Sequence, residues 1–384
     1  MGSLRIESFL THSLRERSMT SLHLPVTPRV SARSLFAHSA VLALVVFAGA
    51  VRPHFAGAQA AAAATPTSRP TAPTSGLADS LPVRLPAQLV QDFHSAFGAH
   101  HARAVHTKGV ILQGQFEPSA EGRTLSRATV FTTSVPIIVR FSDFTGIPDI
   151  PDTSYNASPR GFAIKFLMPD GSNLDIVTHS FNGFLTHNSA EFSEFLRAIG
   201  ASGPDAVKPT TLDKFLATHP VARHFLTTQK PPPASYATAA YFGVNAFQFS
   251  DAAGHGRYVR YRFVPESGEH YLDASSLATK SPTYLIDEIV QRVTSTPVRF
   301  TWYAQLAETG DVIDDPSVAW PEGRTLVKLG VLTIDRAGPN TAASDQALAF
   351  QPGSLLSGIE IADPMVTIRN AAYPVSFHER QNPR

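Results

Sequence analysis

Two residues near the C-terminal end have types and spacing that suggest chemistry. Asp363-Pro364 is a strong helix start, with Asp as the N-cap and Pro at the first helical position. The segment PMVTIRNAAYP that follows ends at Pro374. A proline disfavours helix at the residue before it, so the helix is expected to stop there with Tyr373 in its last turn. Arg369 and Tyr373 then lie four apart on one face. A guanidinium over a phenol favours the phenolate, a hard anionic ligand suited to Fe(III). The bland alternative is an ordinary tyrosine bonded to a helical arginine, and R-x-x-x-Y alone does not decide between the two.

Three other places carry polar groups in informative settings. His106, in the stretch RAVHTKG, precedes the strand-like GVILQGQF. It reads either as an acid–base residue or as a satisfied structural histidine. Arg140 and Ser142 are two apart in VPIIVRFS, so in a strand they project to the same face. Asn182 is an amide between Phe181 and Phe184, and it also reads as a turn residue before Gly183.

Composition narrows what these groups can do. The 384 residues include 32 Lys and Arg against 31 Asp and Glu, and a net charge of +1 argues against a general nucleic-acid binder. Cysteine is absent. That excludes disulfides, a thiolate nucleophile, Cys-ligated zinc or iron–sulfur clusters, and a thioether-linked haem. Any metal must be held by His, Tyr, Asp, Glu or a prosthetic group. The 25 Phe against 2 Trp point to an interior or pocket of plain aromatic rings.

The elements that must position these residues alternate like half-buried strands at Val135–Ser142, Gly161–Met168, Tyr258–Val264, Val298–Leu306 and Leu329–Ile334. Val135–Ser142 sets Ile137, Val139 and Phe141 against Ile138, Arg140 and Ser142. Helical patterns interrupt them, one starting at the cap-like Asn188 to Glu191 and one amphipathic over Pro282–Val293. Strands without a βαβ rhythm argue for an antiparallel sheet or barrel with helices attached. Ahead of this domain, residues 1–60 are expected to be a signal peptide. Arginines precede a 12-residue apolar run, Ala40–Val51, and Ala58-Gln59-Ala60 fits a cleavage pattern. Met19 is an alternative start, and a single N-terminal membrane anchor is the alternative reading of the apolar run. Residues 61–80 read as a flexible linker, and residues 81–384 as the folded domain.

Taken together, the motifs RAVHTKG, VRFSDFTG, RGFAIKFLMPDGSNLDIV, VLTIDRAGPN, ALAFQPGSLLSGIE and IRNAAYP resemble, in order and spacing, those of the haem-containing catalases over Val83–Arg380. In length, and in FSDFTGIPDIPD and YFGVNAFQF, the chain is similar to the catalase-related peroxidases. The resemblance implies an α+β fold, an eight-stranded antiparallel β-barrel with attached helices, without the C-terminal helical domain of full-length catalases. It implies haem b (iron protoporphyrin IX) with Tyr373 as iron ligand and Arg369 holding the phenolate. His106 would be the distal acid–base residue, Asn182 the peroxide-orienting amide, and Ser142 the partner of the His106 ring. Arg103 and Arg140 would meet the haem propionates, with Arg380 a further candidate, and Phe192 would pack near the porphyrin.

The implied activity is a peroxidase acting on hydrogen peroxide or small organic hydroperoxides, and the leader segment adds the expectation that it is exported to the periplasm. It would use a small organic electron donor, have weak catalase activity and need no nucleic acid, as a monomer or homo-oligomer. Two alternatives stand beside it: a hydroperoxide-rearranging enzyme of the same fold, and a non-enzymatic haem-binding barrel.

Overall fold

A computed structural model of the chain describes residues 84–382. The leader and linker expected at 1–80 lie outside them. The strands are β1 Gly109–Pro118, β2 Val135–Ser142, β3 Gly161–Leu167, β4 Asn173–His179, β5 Tyr241–Ser250, β6 Gly256–Pro265, β7 Val298–Leu306, β8 Leu326–Ala337 and β9 Ile359–Ile361. The helices are α1 Leu85–Phe97, α2 Ala120–Leu125, α3 Ser189–Gly200, α4 Thr211–Thr218, α5 Pro220–Thr227, α6 Ala274–Leu277, α7 Tyr284–Ser295, α8 Ala342–Ala347 and α9 Pro364–Gln381.

Eight strands run antiparallel in the order β4-β3-β2-β1-β8-β7-β6-β5, and His179 meets Phe242 to close the ring. The short β9 adds to β5. This is the eight-stranded antiparallel barrel that the resemblance implies.

Alternation explains its two surfaces. Val135, Ile137, Val139 and Phe141 of β2 point inward, as do Phe162, Ile164 and Phe166 of β3. The interior is packed rather than hollow. Trp302 sits at its middle with Phe116, Phe131, Phe166, Tyr261 and Phe263 at centroid distances between 5.3 and 5.7 Å. The outward set on β1 to β4 includes Arg140, Ser142, Gly161 and His179, and three of these are polar yet buried. A second apolar cluster built by α1, α3, α4 and α5 covers them, with Leu89, Phe195, Leu196, Phe215 and Phe225 at its centre. A one-residue slip in β2 or β3 would exchange the two sets, so the aromatic interior fixes which residues face the site.

α9 departs from expectation. It starts as read, with the Asp363 side chain accepting from the Met365 N–H, but runs on through Pro374 for 18 residues. Pro374 removes one helical donor, the partner of the Asn370 carbonyl. Gln351 Nε2 donates to that carbonyl instead, at 3.4 Å. Beyond the proline, buried Arg380 donates to the carbonyls of Gln346 and Leu348, and Glu379 bonds His94 of α1. These tertiary bonds outweigh the local preference, so Tyr373 lies in mid-helix.

The packed interior makes a stability prediction. Trp302→Ala should cost about 3–5 kcal/mol. Trp302→Phe should cost distinctly less, because the buried indole Nε1–H has no partner among the described residues and its removal discards an unpaired donor. Urea unfolding of both variants checks this, and equal losses would contradict it.

Candidate active site

His106 sits in the segment leading into β1 with φ of 54°, a left-handed conformation uncommon outside glycine. Its neighbours hold it there. The Arg140 guanidinium donates to the His106 carbonyl at 2.8 Å and to the Thr107 carbonyl at 2.9 Å. The His106 N–H donates to the Phe144 carbonyl, and Thr107 Oγ1 donates to the Arg103 carbonyl. Arg140 reaches this loop because Gly109 is bare: a Cβ there would lie 2.6 Å from the guanidinium carbon.

The imidazole is fixed as firmly. Nδ1 of His106 is 3.0 Å from Ser142 Oγ, and Phe144 packs edge-on against the ring at 5.4 Å. Gly161 makes the floor: a Cβ there would fall 2.6 Å from Nδ1 and closer still to Ser142 Oγ. Burial first, then the charges of His179, Arg140 and Arg369, push His106 down to about 3, while the Asp143 carbonyl pulls the other way. The ring is therefore neutral near pH 7. The Ser142 hydroxyl can accept from Nδ1–H, and in that tautomer Nε2 carries the free lone pair.

Arg103 and Arg140 converge, with Asp345 of α8 between them. Arg103 bonds its carboxylate, and Arg140 Nε donates to it at 2.7 Å. Arg103 also shares the Leu348 carbonyl with Arg380. Burial, then the neighbouring Arg140, opposes the positive charge on Arg103, with Asp345 working in the other direction. A guanidinium keeps its proton in such a place, so the cluster presents three positive groups to one carboxylate. The resemblance assigns Arg103 and Arg140 to the haem propionates, and the structure brings the two guanidiniums together. In this structure they are engaged with Asp345, a counterion that no local motif marks.

On α9, Arg369 Nη2 donates to Tyr373 Oη at 3.0 Å. Nη1 of the same arginine donates to Asn245 Oδ1 at 2.5 Å, and Asn245 Nδ2 donates to the N-cap Asp363 at 2.7 Å. Asn245 sits where β5 bulges between Gly243 and Phe247. Helix start, strand bulge and arginine thus form one chain that aims the guanidinium at the phenol. The charge of Arg369 acts on both His106 and His179, which brings the tyrosine helix and the histidines of the barrel face into one site.

Phe192 of α3 packs on Phe93 at 5.6 Å and Phe184 at 5.2 Å, part of an aromatic wall that continues through Phe225 to Phe144. Asn182 lies three residues beyond His179, half-buried in a turn, and its side chain makes no hydrogen bond among the described residues. Sequence reasoning passed over His179, Asn245 and Asp345. Cross-strand register, a bulge and a helix docking bring these to the site, and only a register prediction for β3 and β4 could have pointed to the first.

The residues present fit the implied haem. Among the described residues no group of three or more His, Asp or Glu could hold a metal ion. A guanidinium-backed phenol is a suitable single protein ligand to a porphyrin iron. The bare floor at Gly161, the unpartnered buried Nε2 of His179 and the surplus of guanidinium charge suit a ligand with a small reactive centre and anionic edges.

The two imidazoles, His179 buried and His106 half-buried, set a pH dependence. Both His106 and His179 stand at about 3 in the fold against an ordinary 6.5. Between those values the unfolded chain binds a proton on each ring that the native chain does not. Stability is therefore full above 6.5 and falls on acidification, by about 1 kcal/mol per pH unit per ring. Urea unfolding between about pH 7 and pH 5 should show this slope, and His106→Gln should remove roughly half of it. A slope unchanged in that variant would contradict a neutral His106 ring.

The profile of the Catalase family matches residues 91–383. A catalase-related peroxidase of Synechococcus elongatus is 32% identical over 302 residues, covering 77% of this chain and 88% of that one. A catalase-related peroxidase of Mycolicibacterium paratuberculosis is 34% identical over 303 residues, covering 77% and 94%. Among solved structures, catalase A from Saccharomyces cerevisiae superposes with a TM-score of 0.64 at 22% identity, covering 73% of this chain. The match spans 62% of that catalase. With the barrel, the ordered motifs and these matches in agreement, the chain belongs to the catalase family.

Proposed function

We propose that this chain is a haem-dependent peroxidase that reduces hydrogen peroxide or small organic hydroperoxides with small organic electron donors, with weak catalase activity. The observation that carries this reading is the pairing of two prepared groups in one site. One is a phenol backed by Arg369; the other is a neutral imidazole locked by Ser142 over a bare glycine. The two curated relatives named peroxidases cover most of the same chain.

When bound, the haem supplies a redox-active iron that exchanges electrons with peroxide and donor. Tyr373 Oη would hold that iron, and the Arg369 guanidinium favours the anionic oxygen. Arg103, Arg140 and Arg380, with Asp345 as their one carboxylate, would receive the propionates of haem b, and Phe192 would pack beside the ring. Heterolysis of the O–O bond needs one oxygen to lose a proton and the other to gain it. His106 Nε2, neutral at working pH, takes that proton and returns it within the site, a role worth typically about 10²–10⁴-fold. Ser142 Oγ keeps the ring oriented during both transfers. The aromatic wall of Phe144, Phe184, Phe192 and Phe225 keeps water out and the imidazole uncharged.

Absorption spectra and turnover test the proposal. The wild type should take up haem with a phenolate-type ferric spectrum. Tyr373→Phe should lose haem or change that spectrum, and an unchanged spectrum would refute tyrosine ligation. His106→Ala should keep haem and lose about 100-fold or more in donor oxidation. A loss under about tenfold would remove the acid–base role. Conversion of a fatty-acid hydroperoxide to a rearranged product without donor consumption would favour the rearranging alternative.

A further inference from the structure

Ser142 of β2 pairs with Gly161 of β3, and Gly161 pairs with His179 of β4. Residues directly opposite one another on neighbouring strands project to the same face, at about 5 Å per step. His179 therefore rises from the same outer surface as Ser142, with the bare glycine between them. The His106 ring occupies that gap, its Nδ1 and Cε1 within 2.8 Å of where a Gly161 Cβ would stand. The two imidazoles are neighbours across one missing side chain.

The orientation of the second ring is informative. Nδ1 of His179 accepts from the Phe181 N–H at 3.3 Å. In the neutral ring the proton is therefore on Nε2. That Nε2–H is buried and, among the described residues, has no hydrogen-bond partner. Phe184 and Phe225 pack on the ring at 6.3 and 6.1 Å, and burial together with Arg369 keeps it uncharged. A buried donor left unpaired is uncommon and destabilising, and the usual reason is a ligand or water that completes it. Next to it, His106 Nε2 offers a lone pair. One acceptor and one donor side by side match the two ends of a hydroperoxide group, which must give a proton from one oxygen and have the other held.

We infer that His179 is the second distal residue of the site, donating through Nε2–H to the oxygen of a peroxide bound beside His106, the part the sequence motifs assign to Asn182. This deepens the haem peroxidase reading and rests on it. The role is to hold the ligand, not to shuttle its proton. It follows that small anions bound to the iron should feel the same donor.

Cyanide titration of the haem-loaded full-length chain tests the assignment without relying on turnover. His179→Ala should raise the cyanide dissociation constant about tenfold, the loss of one hydrogen bond of about 1.4 kcal/mol. Haem affinity and the ferric spectrum should stay close to wild type. His179→Gln, which restores an N–H of similar reach, should recover most of the loss. His179→Leu fills the same space without a donor and gives the same contrast with Gln if the alanine variant fails to fold. A cyanide affinity within twofold of wild type in His179→Ala or His179→Leu would overturn the inference, and so would a tenfold effect confined to Asn182→Ala. A wild-type chain that takes up no haem would sink the peroxidase reading, and this inference with it. Haem uptake with a cyanide response blind to position 179 would sink this inference alone.

Discussion

The Arg140 guanidinium ties together parts of the chain that sequence separates widely. From the outer face of β2 it holds the carbonyls of His106 and Thr107, and so keeps His106 in a conformation costing about 1–3 kcal/mol. Its Nε binds Asp345, which also takes Arg103; Arg103 shares the Leu348 carbonyl with Arg380 of α9. The loop that carries the His106 imidazole and the helix that carries Tyr373 are therefore fastened to one cluster. Its positive surplus has to be tolerated in a largely buried setting, which is acceptable where anionic groups are to be received and wasteful elsewhere. A lysine at 140 could not serve two carbonyls and a carboxylate from one planar head.

The aromatic excess divides into two structures with different tasks. Rings inside the barrel fill its interior and fix strand register. Rings outside it, on α3, α5 and the connections around β2 and β4, enclose the imidazoles. The outer set makes the site dry, and dryness keeps two histidines uncharged beside three arginines. A neutral imidazole is the form that can accept a proton from peroxide. The proton-accepting role proposed for His106 and the loss of stability in acid thus have the same physical origin.

Much of this was legible in the sequence because it is local. Strand alternation, the Asp363-Pro364 helix start and the ordered motifs around His106, Ser142 and Tyr373 depend on neighbours within a few positions. Other features were not, and each for a physical reason. Pro374 reads as a helix stop, yet Gln351 from a distant loop satisfies the carbonyl it frees. Asn245 looks like one more residue of a strand until the β5 bulge turns it towards Arg369. His179 sits at the end of a polar-looking strand, and only the register from Ser142 through Gly161 sets it beside His106. The motifs point to Asn182, three residues further along the chain.

The central claim is that a porphyrin iron lies between Tyr373 and the histidine face of the barrel. A crystal structure of the haem-loaded chain tests it most directly. It should show Tyr373 Oη bonded to iron on one side of the macrocycle, and His106 and His179 over the other, with propionates at the Arg103–Arg140–Arg380 cluster. Iron ligated elsewhere, or Tyr373 and His106 on the same side of the ring, would contradict the account.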